Sequence, residues 1–91
     1  HIEQGPLLDN ENIQIGVVSA IAAPHRFSVR VQGQAQHSGT TAMKYRHDAL
    51  CAAAQIVLAV ESVARENASN GVVATAGNCT VKPGVMNVAV F

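Results

Sequence analysis

Ninety-one residues with six acidic and six basic side chains carry no formal net charge, and 48% of them are hydrophobic. That balance offers no electrostatic footprint for nucleic acid or an anionic membrane. With only Phe27, Tyr45 and Phe91 as aromatics, it also argues against a base-stacking surface. The length allows one domain, whose stability alone would be marginal.

Cys51 and Cys79 lie far apart, and neither has a second Cys at metal-ligand spacing. Two free, buried thiols in a reducing, cytoplasmic setting is the expectation. The nearly apolar run 49–60 is interrupted by Gln55 and is too short to span a bilayer. No stretch has the form of a signal peptide. The chain opens on His1 rather than Met, as expected of a piece of a longer parent.

Residues 1–6 read as a strand end closed by a turn at Gly5-Pro6, and residues 7–12 as a polar loop. Ile13, Ile15 and Val17 alternate with Gln14 and Gly16, the pattern of a strand. The phase slips at Val17-Val18, where a bulge would fit. Phe27, Val29 and Val31 alternate with Ser28, Arg30 and Gln32, which predicts a half-buried strand of an antiparallel sheet. Gly33 ends it, and residues 34–44 form a polar loop.

A helix is predicted from about His47 to about Asn67, with Asp48 in its first turn. Ala49, Ala53, Ile56, Val60 and Val63 form one stripe, and further apolar residues flank it. A helix apolar nearly all round must be covered on two sides, here by a sheet and by a partner subunit. Gly71 is a candidate left-handed cap residue. Residues 72–76 and 79–81 read as strand, Lys82-Pro83-Gly84 as a turn, and 85–91 as another extended segment. The order β-β-α-β-β predicts an α+β fold, an antiparallel sheet with a helix packed on one face.

Two constellations can carry chemistry. His1-Ile2-Glu3-Gln4-Gly5 can offer an imidazole to a metal and an amide to a ligand, though so short a string is common by chance. His37 lies among small residues in the loop Gly33 to Thr41, where an imidazole can donate to a developing oxyanion or shuttle a proton. The bland reading of that loop is a solvated histidine with Thr hydroxyls capping local turns. His25, His47 and Arg46 read as structural or solvated, and Asn87 after the Pro-Gly turn says little alone. The histidines lack H-x-x-x-D spacing and there is no Glu-Glu doublet, so a dimetal site cannot be built from these residues.

Taken together, "HIEQGP" and "GQAQHSGTTAMKYRHDAL", followed by "VATAG" and "VKPGVMNV", resemble the amidase/hydantoinase-carbamoylase branch of the M20 dimetal peptidases. The resemblance covers nearly the whole chain. It implies a parent amidohydrolase that uses two zinc or manganese ions to cleave linear C–N bonds of N-carbamoyl amino acids, allantoate or other ureido compounds. It also implies a smaller, ferredoxin-like dimerisation (lid) domain that pairs two copies. On that reading residues 1–12 are the end of a catalytic-domain strand with its linker. Residues 13–91 are then the dimerisation domain, incomplete at its C-terminal end.

Residue by residue, the resemblance makes His1 a metal ligand and Gln4 a substrate contact. It makes His37 the lid histidine that steadies the oxyanion across the dimer, and Asn87 a carboxylate-binding amide. Ala42 stands where the family usually has Pro, and Ala89-Val90-Phe91 departs from the family pattern. The fragment alone is expected to be inactive and to hold no metal stably. The alternatives are an M20 aminopeptidase or dipeptidase, and a non-catalytic dimerisation module.

Overall fold

The computed structural model describes residues 1–85. In chain order it contains a single-turn helix α1 (Leu7–Asn10), a 3-10 turn at Met43–Tyr45, a long helix α2 (Ala49–Glu66) and a 3-10 turn at Ala68–Asn70. Helix α1 stands where composition predicts a loop. Glu3 explains it, because its carboxylate accepts from the N–H groups of Leu7 at 3.1 Å and Leu8 at 3.3 Å. A helix start leaves those donors open, so a carboxylate there stabilises even one turn.

Helix α2 lies within the predicted limits, with a finer start. Asp48 is its N-cap and not part of its first turn. The backbone of Asp48 is extended, and its side chain accepts from the Leu50 N–H at 3.0 Å. At the far end the Asn67 side-chain amide donates to the Val63 carbonyl at 2.8 Å. Gly71 then turns the chain with φ of 73°, the left-handed conformation expected of it. Gly84 adopts φ of 70° in the Lys82-Pro83-Gly84 turn.

The sheet does not form among the described residues. No strand pairs with another among the described residues, beyond an isolated bridge residue at His37. The predicted α+β class with an antiparallel sheet is therefore corrected. Segments 14–33 and 72–85 exchange no backbone hydrogen bonds with other described residues. Most of their apolar side chains stand in the open, with Val17 94%, Phe27 88% and Val73 88% exposed, while Val31 and Val81 are half-buried.

The physical reason is that alternation marks which face of a segment gains from burial but does not supply the surface that buries it. Covering a Val, Ile or Phe side chain stabilises by about 1.5–3 kcal/mol. Without cover, nothing offsets the entropy of ordering a strand. The radius of gyration is 19.6 Å, against about 12 Å for a compact domain of this length.

Helix α2 shows the same shortfall. Ala49 is buried, and Ala53, Val60, Ala64 and Asn67 continue a half-covered stripe from it. The other apolar residues of the helix, Leu58 and Val63 among them, remain exposed. The sheet expected to cover one side of it is not found among the described residues.

The Asp48 cap yields a direct test. Asp48→Ala should shorten α2 at its start and lower stability by about 1 kcal/mol, read by far-UV circular dichroism during thermal unfolding. Asp48→Ser, which keeps an acceptor, should retain most of it. Equal melting of Asp48→Ala and wild type would contradict the assigned cap.

Candidate functional site

The best-organised part of the chain outside α2 is the loop that carries His37. Its base is closed by the Gln34 N–H donating to the His47 carbonyl at 2.9 Å. Inside it the Thr41 N–H returns to the His37 carbonyl at 3.2 Å. The Tyr45 and Arg46 N–H groups reach the Ala42 and Met43 carbonyls at 2.9 and 3.1 Å. Ala42 has φ of −58°, inside the range a proline would impose, so the loop reaches this geometry without the ring.

His37 itself is exposed, as expected of a loop histidine, but it is not merely solvated. The Gly39 backbone N–H donates to its Nδ1 at 3.0 Å. A backbone N–H can only donate, so Nδ1 must be the lone-pair nitrogen, and the neutral ring carries its proton on Nε2. That leaves a directed N–H donor on the far side of the ring, the group a developing oxyanion requires. Gly39 also keeps the space clear, because a Cβ there would sit 3.3 Å from His37 Cε1.

His1 is arranged the opposite way. Its Nδ1 lies 3.0 Å from the Ile2 carbonyl. A carbonyl can only accept, so Nδ1 bears the proton and the Nε2 lone pair is free. A metal-binding imidazole is commonly held in this way, with the other nitrogen donating to a backbone carbonyl. The donor chemistry of His1 thus suits one metal ligand. No group of three or more His, Cys, Asp or Glu among the described residues could hold an ion, so these residues do not form a metal centre.

Gln4 is exposed and takes φ of 57°, uncommon for a residue with a side chain. No hydrogen bond or ion pair links His1 or Gln4 to His37 among the described residues. Two open hollows, one beside α1 lined by residues such as Glu3 and Asn12 and one between α2 and residues 74–76, include none of the three. Asn87 lies outside the described residues.

Glu3, given no role of its own by the sequence, is a helix-capping carboxylate. Two sequence readings change here. Cys51 and Cys79 are free but exposed, not buried. Arg46, read as a solvated helix-entry residue, is half-buried and bonded to two loop carbonyls, its Nε donating to Thr41 at 2.9 Å and its Nη2 to Ser38. No residue type announces a backbone carbonyl as a partner, so only the fold could reveal this. No helix among the described residues is long and apolar enough to cross a membrane.

No protein-family model and no solved structure matches the chain. Curated proteins do. The chain is 59% identical over 88 residues to an uncharacterized hydrolase of Haemophilus influenzae, covering 97% of this chain and 21% of that protein. It is 47% identical over 87 residues to ureidoglycolate hydrolase of Arabidopsis thaliana, covering 96% and 18%. It is 49% identical over 84 residues to the N-carbamoyl-L-amino-acid amidohydrolase of Paenarthrobacter aurescens, covering 92% and 20%. The chain is thus homologous to a stretch of hydrolases, two of these three being named for ureidoglycolate or N-carbamoyl-L-amino acids, and it spans about a fifth of their length.

The assigned tautomer is measurable. Side-chain 15N correlation spectra should show neutral His37 protonated at Nε2, and Gly39→Ala should shift those resonances as the ring moves by a few tenths of an ångström. A neutral His37 protonated mainly at Nδ1 would contradict the geometry.

Proposed function

We propose that the chain is a part of a dimetal amidohydrolase of the M20 carbamoylase branch, one that cleaves linear C–N bonds of N-carbamoyl amino acids, allantoate or related ureido compounds. The observation that carries the reading is His37, held in a hydrogen-bonded loop with its Nε2–H directed outward. The names of the homologous proteins support the substrate class.

On this reading the chain has two tasks. His37 donates to the oxygen that gains charge when the substrate carbonyl becomes tetrahedral. A donor already aimed there lowers the barrier because nothing need reorganise during the reaction. The exposed apolar faces of α2 and of the extended segments are the surfaces that bury against the rest of the parent and against a second copy. Residues 13–91 would then belong to the dimerising lid and 1–12 to its junction with the catalytic part.

His1 would contribute one ligand through its free Nε2, and Gln4 and Asn87 would contact substrate. The two divalent ions, zinc or manganese, would be held mainly by other residues of the parent and would supply the activated water. Two free thiols fit a cytoplasmic parent.

The test uses the full-length protein loaded with manganese or zinc, assayed on N-carbamoyl-L-amino acids, allantoate and ureidoglycolate. Turnover on at least one is expected, with His37→Ala reducing kcat by about 10²–10³. A metal-loaded protein inert on all three would contradict the proposed reaction. A His37→Ala loss below about threefold would contradict the oxyanion role, since removal of one such donor costs far more.

A further inference from the structure

Arg46 sits between the 3-10 turn and α2, at the foot of the loop that carries His37. Its side chain is half-buried. No carboxylate of the described residues lies within ion-pairing distance of it, the one such pair being Arg65 with Glu61. Its hydrogen bonds go instead to the backbone, from Nε to the Thr41 carbonyl at 2.9 Å and from Nη2 to the Ser38 carbonyl.

Those two carbonyls bracket the turn that sets His37. Ser38 follows the histidine directly, and Thr41 is the residue whose N–H returns to the His37 carbonyl. Between them lies Gly39, whose N–H determines which ring nitrogen bears the proton. A planar guanidinium presents its donors in a fixed fork, so it sets the separation of the two acceptors it holds. A lysine ammonium is a point donor on a flexible stem and cannot impose that separation.

We propose that Arg46 is a positioning residue for His37, its guanidinium clamping the Ser38 and Thr41 carbonyls so that the Gly39 N–H stays on Nδ1 and the Nε2–H is presented at one fixed point. This rests on the reading of His37 as an oxyanion donor. The hydrogen bonds of Arg46 go to the loop carbonyls, so it acts on His37 through the loop backbone. A donor displaced by about an ångström can lose around a hundredfold in rate, so a clamp on the loop bears on turnover more than on substrate affinity.

The experiment uses the full-length, metal-loaded protein with Arg46→Lys, Arg46→Ala and His37→Ala. In Arg46→Lys, kcat should fall by about tenfold or more with KM within about twofold, the signature of an interaction made in the transition state. Added ethylguanidinium should restore turnover to Arg46→Ala and not to His37→Ala. Side-chain 15N spectra should show one Nε2–H tautomer of neutral His37 in wild type and a mixture in Arg46→Lys.

Arg46→Lys with wild-type kcat and unchanged His37 resonances would overturn the proposal. So would losses that follow unfolding in every Arg46 variant without rescue by ethylguanidinium, since that is a purely structural role. If wild type turns over no linear amide while the His37 tautomer still depends on Arg46, the clamp stands and the proposed reaction falls.

Discussion

The hydrogen bond from the Gly39 backbone N–H to His37 Nδ1 is the constraint on which the proposed chemistry of this chain depends. It is short in sequence and cheap to form, yet it converts an ambivalent ring into a donor with one direction. It exists only while the loop keeps its shape, and that shape comes from bonds at three levels. Gln34 to His47 closes the base, Thr41 to His37 makes the turn, and Arg46 joins the turn to the entrance of α2. Asp48, capping α2 immediately after His47, fixes the end of the helix from which the loop departs.

His1 and His37 show how the nearest backbone neighbour gives the same side chain opposite hydrogen-bonding character at Nε2. A carbonyl at Nδ1 leaves a lone pair at Nε2 for a Lewis acid, and an N–H at Nδ1 leaves a proton at Nε2 for an anion. Neither arrangement needs a charged partner. In the functional reading proposed above, the two imidazoles act on opposite sides of one reaction, one holding an ion and one receiving charge.

What could be read from the residues alone was what is local. Helix α2 follows from its run of alanines and leucines and was placed to within two residues, because caps and periodicity act over a single turn. Gly71 and the Lys82-Pro83-Gly84 turn were equally legible, since positive φ selects glycine. The sheet was not, because Phe27, Val29 and Val31 state a preference for burial that only a second surface can satisfy. The exposure of Cys51 and Cys79 has the same origin. His37 is singled out by its loop composition and by resemblance, while its hydrogen bond from Gly39 and those of Arg46 to the loop are visible only in the fold, because their partners are backbone groups common to every residue.

The most direct test of the account is a crystal structure of the full-length, metal-loaded protein with a tetrahedral analogue of the hydrolytic intermediate. His37 Nε2, from one protomer or its partner, should lie about 2.7–3.1 Å from the oxygen that mimics the oxyanion. A structure in which that nitrogen faces solvent in both protomers, far from the analogue and the ions, would contradict it.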